Sequence, residues 1–501
     1  MIQPYIFVPL VELYVKATDF LSIYTADGFI KTVAAGIKTS EPNNIKVKGL
    51  QGSLDAILLA AVFKLHPQDC WVVLQDRDEA FYFQNDLQNL LNREMLFFPL
   101  SYKRPYEYDE VENANILQRT ETLNKLANKT RPEIVVTYPE ALGEKVITRR
   151  SLSSKTFTIK KGERLDVVFL EEFLHDADFE KTDFVYEAGQ FAVRGGIVDV
   201  YSFSHELPYR IELFGDEVDS IRSFEPGSQL SVESVDYVNL VPNLQSSLVK
   251  EERQSIFDFI APATRLWFKD VQLVLDVVEK TFDKAVQAYD QTTKGSKTAL
   301  VLPPEEIFDS AKNFLSKSQS FTRIEFGSRS YLKDVKVFEY LAAGQPSFNK
   351  NFELLATNLL EQQDKGYGNF IASDTPKQLE RLAGIFSEIN KQAKFQSLEF
   401  SLRAGFIDQS LKIVCYTDHQ IFERFHRYKA REKYSKSKAL TLRELYTLQP
   451  GDFVTHIDYG IAKFAGLEKK EVNGHEQEAI RLIYRDDDLL YLSIHSLHKI
   501  S

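Results

Sequence analysis

The segment Tyr209–Phe214 alternates side chains with the period of a β-strand. The side chains that suit a core are Tyr209, Ile211 and Leu213, and those on the opposite face are Arg210, Glu212 and Phe214. This pattern requires a sheet with one buried and one wet face. A phenylalanine beside an arginine on a wet face is the composition of a binding hot spot. A Phe214 that is partly covered by a loop is the alternative, and alternation alone leaves both open.

Length and composition limit the class of protein. The 501 residues suffice for three or more domains of roughly 100–200 residues each. The chain has 72 acidic and 61 basic residues and a net charge of −11, which argues against a protein that wraps duplex DNA along its whole length. Its two cysteines, Cys70 and Cys415, form no disulfide framework or zinc site, so a reducing cytoplasm is expected. There is no signal pattern and no run of about 18 apolar residues, so no membrane span is predicted.

Residues 1–150 alternate strand and helix patterns. Residues 71–74 and 133–138 have the pattern of buried strands, with helical patterns at residues 86–91 and 116–126. Strands that alternate with helices predict a parallel sheet covered on both faces. Helical patterns return in residues 241–345, and residues 346–422 predict a further small α/β domain.

Two stretches interrupt this rhythm. Residues 151–240 have short strands and turn residues, which predicts an inserted domain of another type. Residues 423–446 carry a run of arginines and lysines between Arg424 and Lys438. A solvated linker between domains is one interpretation of this run, and a weak nucleic-acid contact is the other.

Residues 447–501 have a third kind of pattern, of short strands separated by turns. Asn473-Gly474 is the strongest two-residue hairpin signal, because both central positions of such a turn need a positive φ. Four or five short strands in about fifty residues predict a small SH3-like or Tudor-like β-barrel. His456 is expected on the solvated face of a barrel strand. His495 and His498 lack the cysteine or carboxylate partners that a zinc site would need nearby, so no metal is predicted.

Two stretches carry a family resemblance: Arg194-Gly-Gly-Ile-Val-Asp-Val200, and Pro208-Tyr-Arg-Ile-Glu-Leu-Phe-Gly-Asp-Glu217. They resemble the second domain shared by the excision-repair protein UvrB and the transcription-repair coupling factors. Residues 447–501 resemble the RNA-polymerase-interacting domain of the coupling factors, which is related to the CarD regulators. The chain is thus similar, over essentially its whole length, to the N-terminal half of the coupling-factor family.

The resemblance implies a multidomain α/β fold. Residues 1–150 and 241–345 would form a degenerate P-loop-type parallel α/β domain, interrupted by a UvrB-domain-2-like α+β domain at 151–240. A small α/β domain at 346–422, a basic linker at 423–446 and the C-terminal SH3/Tudor-like barrel at 447–501 would follow.

The UvrB group normally has a P-loop after an early strand. The residues at that position here are Gly49, Gly52, Ser53, Leu54, Asp55 and Ala56. A working loop needs Gly-Lys followed by Ser or Thr, because the lysine reaches the phosphates and the hydroxyl binds Mg²⁺. Asp55 would instead bring a negative charge toward a polyanion, and Ala56 cannot ligate a metal. The loop is therefore predicted to be an inactive strand-to-helix turn, and no cofactor is expected in this chain.

The resemblance also implies two docking surfaces. The family's contacts with UvrA, the damage-recognition protein, correspond to Arg194, Arg210, Phe214, Gly215 and Asp216, although some relatives have an acid at the position of Gly215. Internal salt bridges to Asp199, Glu212 or Asp216 are the alternative use of the two arginines.

The family's contacts with the RNA polymerase β subunit correspond by position to Leu467, Lys469, Lys470, Glu471 and Val472. A sheet edge there could accept a partner strand, although relatives often have an aliphatic residue in place of Lys470. A solvated edge that its lysines protect is the alternative.

These features predict a monomeric adaptor without enzymatic activity of its own, which holds stalled RNA polymerase at one end and recruits UvrA at the other. The resemblance implies that ATP and Mg²⁺ binding, and most DNA contacts, belong to translocase domains that follow in the family beyond residue 501. A divergent UvrB-like nucleotidase and a CarD-like transcription regulator stay open as alternatives.

Overall fold

The structure, a computed structural model, describes residues 14–38, 41–102, 113–154, 156–205, 207–241, 252–295, 302–424, 448–456, 459–472, 475–485, 488–493 and 500. The chain divides into two compact units. Unit 1 consists of residues 1–152 and 247–431, and unit 2 consists of residues 153–246 and 432–501. No helix in the described ranges is long and apolar enough to cross a membrane.

The elements up to residue 240 are, in chain order, β1 (Tyr14–Val15), α1 (Ala17–Ala26), α2 (Gly28–Ile37), β2 (Asn44–Lys48), α3 (Leu54–Leu65), β3 (Cys70–Val73), α4 (Arg77–Leu91), β4 (Leu96–Phe98), α5 (Asn113–Asn128), β5 (Ile134–Thr137), α6 (Pro139–Gly143), β6 (Val146–Ile147), α7 (Arg149–Ser154), β7 (Phe157–Lys160), α8 (Val167–Asp176), β8 (Glu180–Lys181), β9 (Gln190–Arg194), β10 (Ile197–Val200), β11 (Tyr209–Phe214), β12 (Glu217–Phe224), β13 (Ser231–Ser234) and β14 (Tyr237–Leu240).

The elements that follow are β15 (Arg253–Gln254), α9 (Ile256–Phe259), β16 (Arg265–Phe268), α10 (Val271–Gly295), α11 (Pro304–Ile307), α12 (Ala311–Ser318), β17 (Thr322–Glu325), β18 (Val335–Glu339), β19 (Ala342–Gly344), α13 (Phe352–Asp364), β20 (Gly368–Ala372), α14 (Pro376–Ile389), β21 (Gln396–Leu398), β22 (Phe406–Asp408), β23 (Ile413–Thr417), α15 (Asp418–Ile421), β24 (Phe453–His456), β25 (Gly460–Val472), β26 (His475–Ile483) and β27 (Leu489–Ser493).

A seven-stranded parallel sheet forms the larger part of unit 1. Its strand order is β18-β2-β17-β16-β3-β5-β4, so strands from before and after residues 153–246 share one sheet. Every residue of β3 and β16 is buried, as expected for interior strands of a parallel sheet with both faces covered. Trp71 and Trp267, the two tryptophans of the chain, lie on these strands and are each 1% exposed.

A second sheet of unit 1 has the order β1-β21-β20-β23-β22-β19, with a parallel part and an antiparallel edge. Residues 54–63 of α3 are all buried, because apart from Asp55 they are apolar and pack within a core that takes side chains from both sheets. The loop between β2 and α3 belongs to unit 1; its Gly49 and Gln51 are exposed, whereas Ser53 at its end is buried.

The insertion sheet, six strands between residues 180 and 234, has the order β13-β12-β11-β10-β9-β8 and lies in unit 2. On β11, Ile211 is buried and Leu213 packs against the same core, whereas the side chains of Arg210 and Glu212 lie on the other face. The alternation predicted for this strand is therefore present, with one face in a core and one face polar.

The C-terminal sheet, also in unit 2, contains the antiparallel strands β24, β25, β26 and β27 in that order. Its core includes Val454, Phe464, Ile480 and Leu482. Ile500 forms an antiparallel bridge with His456 on β24. Closure of this sheet into a barrel stays a prediction.

Candidate docking surfaces and the loop after β2

Two tight hairpins end side by side at one end of the insertion sheet. The β9–β10 turn is Gly195-Gly196, the β11–β12 turn is Gly215-Asp216, and the N–H of Leu213 donates to the carbonyl of Gly196 at 2.8 Å. Gly215 has a φ of +67°, whereas Asp216 keeps a negative φ. A positive φ at the first central residue defines a type II′ turn, whose twist matches that of the flanking strands. The turn that directly follows Phe214 therefore has a defined backbone conformation.

Phe214 is the most exposed large apolar side chain of the described chain. It is 85% exposed and pairs with Glu217 across the hairpin. The alternative in which a loop partly covers Phe214 is wrong. The Phe214 ring is thus open to solvent beside a two-residue turn, where a partner could cover it.

The two predicted arginines of this surface share one buried carboxylate. Arg210 donates to both oxygens of Asp199, Nε to Oδ1 at 2.7 Å and Nη2 to Oδ2 at 2.8 Å, and Arg194 also donates to Oδ2. Asp199 is fully buried, and its hydrogen bonds raise the pKa of Arg210. The alternative of internal pairing is thus correct for Asp199. A buried carboxylate needs such partners, because leaving it unpaired would be costly.

Each of these two arginines also makes a cation–π contact with an aromatic ring. The guanidinium of Arg210 lies 4.6 Å from the ring centre of Phe224, and that of Arg194 lies 4.9 Å from the ring centre of Phe184. The side chains keep 18% and 34% of their area exposed, respectively. These contacts fix the two guanidinium groups, and part of each arginine side chain still faces solvent.

Neighbouring charges extend the polar face. Glu212 accepts from Ser220 Oγ at 2.7 Å and also from Arg222. Asp216 is 3.6 Å from Arg164 Nε, and both of these side chains are largely exposed. The five predicted UvrA-contact positions, 194, 210, 214, 215 and 216, lie on β9, on β11 and in the β11–β12 turn, with β10 between the two strands.

The predicted polymerase-contact segment lies on β25. Lys469, Lys470, Glu471 and Val472 pair through their backbones with β26, and the preceding Leu467 pairs with Ile480 after a bulge. On its other side β25 pairs with β24 between residues 460 and 463. Within the described residues, the segment from 467 to 472 therefore has a strand on one side and an unpaired strand edge on the other. The Asn473-Gly474 turn lies outside the described residues.

The prediction that His456 lies on a solvated strand face is wrong. His456 is buried, with 1% of its surface exposed, because β24 turns it toward the interior side together with Val454. Among the residues that the structure describes, no group of three or more His, Cys, Asp or Glu side chains is placed to hold a metal ion. Residues 425–447 lie outside the described part of the chain, and they include all of the basic run except Arg424.

The loop after β2 is packed against the segment that precedes β22. A methyl group on Gly52 would lie 2.3 Å from the carbonyl oxygen of Gly405. Ser53 N–H donates to the carbonyl of Ala404 at 3.0 Å, and Ala404 N–H donates back to Ser53 Oγ at 3.1 Å. The hydroxyl of Ser53 donates to Asp86 at 2.7 Å. Protein backbone thus occupies the space beside the loop and satisfies its polar groups.

Asp55 holds two cations at the start of α3. Arg403 donates to both of its carboxylate oxygens and to the carbonyl of Gly52 at 3.1 Å, and Lys269 Nζ lies 2.8 Å from Oδ2. Burial opposes the ionisation of Asp55, but Arg403 and Lys269 outweigh it and lower its pKa. Asp55 is therefore an internal ion-pair partner, 4% exposed, and Arg403 contributes the positive charge at this loop.

Asp86 on α4 completes the cluster. Arg403 N–H donates to Asp86 Oδ1 at 2.8 Å, and its guanidinium lies 3.9 Å from the other carboxylate oxygen. Burial raises the pKa of Asp86 to about 7, although Arg403 and Ser53 favour the ionised form. Sequence reasoning missed Arg403, Asp86 and Lys269, since no motif links them to Asp55, from which they lie 348, 31 and 214 positions away. The acidic residue in the loop, Asp55, was the one available signal.

Comparison with known proteins agrees with this layout. Residues 157–245 match the family model of the UvrB interaction domain, and residues 448–501 match that of the CarD-like/TRCF RID domain. The first match covers the insertion sheet with its hairpins, and the second covers the C-terminal sheet. The chain therefore combines a domain that matches the UvrB interaction domain with one that matches the CarD-like/TRCF RID domain.

The similar proteins of known name are transcription-repair-coupling factors. The chain is similar to the transcription-repair-coupling factor of Haemophilus influenzae, at 24% identity over 92% of this chain and 46% of the relative. It is also similar to those of Bacillus subtilis and Escherichia coli, each at 22% identity over 90% of this chain and 44% of the relative. The chain thus resembles the N-terminal half of transcription-repair-coupling factors and spans about half the length of the relatives it matches.

Proposed function

We propose that this chain is an adaptor whose insertion domain docks UvrA and whose C-terminal sheet docks the β subunit of RNA polymerase. The observation that carries the proposal is Phe214, exposed on a rigid hairpin within the region that matches the UvrB interaction domain. Arg194 and Arg210, fixed on Asp199 beside it, give the surface a defined shape and polar contacts. Such a combination of an aromatic anchor with ordered arginines is typical of interface hot spots.

Phe214→Ala is expected to weaken the binding of purified chain to UvrA by about 30-fold or more, equivalent to about 2 kcal/mol, because the partner pocket loses its anchor. Since Phe214 is 85% exposed, the variant should melt at the same temperature as the wild type. Surface plasmon resonance with immobilised UvrA measures the affinity.

Phe169→Ala provides a matched control, because Phe169 lies on α8 of the same domain and is 55% exposed. Its affinity for UvrA should equal that of the wild type. Equal binding of the wild type and Phe214→Ala would contradict the proposed anchor, and undetectable binding of the wild type would contradict UvrA as the partner.

The second candidate partner is RNA polymerase, and a specific observation favours it. The segment 467–472 of β25 presents a strand edge that no other described strand covers, in the region that matches the CarD-like/TRCF RID domain. An uncovered edge can take a partner strand through backbone hydrogen bonds, with neighbouring side chains adding specificity.

Lys470→Glu is expected to reduce retention of the purified polymerase β subunit by about tenfold, because it places a negative charge on the proposed edge. Binding to UvrA should be unaffected. Lys377→Glu, a reversal at an exposed site at the start of α14, serves as the control. If both variants retain the β subunit equally well, this edge is not the contact.

The loop after β2 is proposed to hold no nucleotide. Asp55 and Arg403 pair within it, and the 403–405 segment lies against Gly52, which supports a structural role. We expect no ATP hydrolysis above background, with or without DNA, in a coupled-enzyme assay. Magnesium-dependent hydrolysis that Ser53→Ala removes would instead support a divergent nucleotidase.

A further inference from the structure

Arg164 lies in the same cross-strand row as Phe214. It forms an antiparallel bridge with Glu217, and Glu217 is also the partner of Phe214 across the hairpin. Residues directly opposite each other on neighbouring strands present their side chains on the same face. The three side chains therefore lie on one face in the order Phe214, Glu217, Arg164, with Glu217 in the middle.

The backbone around Arg164 is held in place. Leu165 N–H donates to the carbonyl of Asp216 at 2.8 Å, and Val218 N–H donates to the carbonyl of Glu163 at 3.0 Å. These bonds flank the Arg164–Glu217 bridge and make it a non-hydrogen-bonded pair, the kind in which facing side chains are closest. These backbone hydrogen bonds therefore fix the position of the Arg164 Cα atom, from which the side chain extends.

The guanidinium of Arg164, by contrast, is available to a partner. Its side chain is 85% exposed, and its ion pair with Asp216 spans 3.6 Å between two largely exposed groups. Exposed pairs of this kind contribute little and exchange readily. Arg194 and Arg210 differ, since both are committed to the fully buried Asp199.

We infer that Arg164 is a further contact residue of the docking surface and pairs with a carboxylate of UvrA that borders the pocket for Phe214. The inference rests on the proposed function. Arg194 and Arg210 act in part as positioning residues that order the sheet face, and Arg164 supplies a mobile charge at the rim. A rim charge of this kind affects the association rate and the salt dependence of binding more than the dissociation rate.

The test measures binding of the full chain to UvrA at several salt concentrations. Arg164→Ala is expected to weaken binding by about fivefold at low salt, mainly through slower association, and to flatten the salt dependence. Arg164→Glu should weaken it by on the order of 100-fold, because the charge then repels the partner's carboxylate. Arg164→Lys keeps the charge and should stay within about threefold of the wild type.

Lys377→Glu in unit 1 is the control for a charge reversal elsewhere, and the melting temperatures of all variants show whether they fold. If Phe214→Ala weakens binding but Arg164→Glu binds like the wild type, this inference is overturned and the proposed function stands. A loss with Arg164→Ala that is independent of salt would also overturn it, since a structural role gives that result. A wild-type chain that does not bind UvrA overturns both.

Discussion

Arg403→Ala is expected to lower the free energy of unfolding of unit 1 by about 3–5 kcal/mol. The change removes the cation that Asp55 and Asp86 share, and both carboxylates are buried, at 4% and 0% exposure. Asp55 keeps Lys269 as a counter-ion, whereas Asp86 keeps only its hydrogen bonds from Ser53 and from the backbone N–H of residue 403. A buried carboxylate that loses a cationic partner is costly, because no water replaces that partner. The substitution also removes the hydrogen bond from the Arg403 guanidinium to the carbonyl of Gly52.

Tryptophan fluorescence in a urea titration measures this loss. Trp71 and Trp267 are the only tryptophans of the chain, and both lie in the seven-stranded sheet, so the signal reports on unit 1 alone. Arg381→Ala on the exposed side of α14 is the control and should change stability by less than about 0.5 kcal/mol.

Coupling between the partners sharpens the test. The double variant Arg403→Ala with Asp55→Ala should be more stable than the sum of the single losses predicts, because it removes both members of the pair. Additive losses would show that Arg403 and Asp55 do not form the ion pair described here.

Asp199→Ala is expected to destabilise the insertion domain by about 3 kcal/mol. It removes the shared acceptor of Arg194 and Arg210, whose charges then lie on either side of β10 without a carboxylate between them. Affinity for UvrA should fall as well, since the two arginines lose their fixed geometry.

Hydrogen exchange measures this effect, because the insertion domain contains no tryptophan. Amide protection on β10 and β11 should fall in Asp199→Ala and stay at the wild-type level in Phe214→Ala. Asp199→Asn keeps the shape of the side chain and should lie between the wild type and the alanine variant. Unchanged protection in Asp199→Ala would mean that the carboxylate does not order this face.

The contrast between these variants separates two uses of the same surface. Phe214 is exposed and is proposed to contribute only when a partner is bound, whereas Asp199 is buried and stabilises the folded chain itself. A loss of UvrA binding in Arg210→Ala alone would not tell the two apart, because Arg210 both faces solvent in part and satisfies Asp199. Phe214 is consequently the cleaner probe of docking.

Local pattern was enough for much of the fold. The alternation along Tyr209–Phe214 predicted which side chains face the core, since a strand exposes successive residues to opposite faces whatever surrounds it. The helix at Pro376–Ile389 could likewise be predicted from its proline start and apolar spacing. The missing Gly-Lys-Ser pattern pointed to a loop without its usual phosphate ligands, because that chemistry depends on residue types at fixed spacing.

Tertiary structure decided which charges meet. Arg403 is 348 positions from Asp55 in the sequence, so its arrival beside the loop depends on how the two sheets of unit 1 pack around α3. The same limit applies to His456, whose burial depends on the strands around it. For the arginines at 194 and 210, the sequence offered several acidic partners, and the register of β9, β10 and β11 selected Asp199. Strand and helix patterns are local properties of a chain, whereas ion pairing and burial arise from contacts between distant segments.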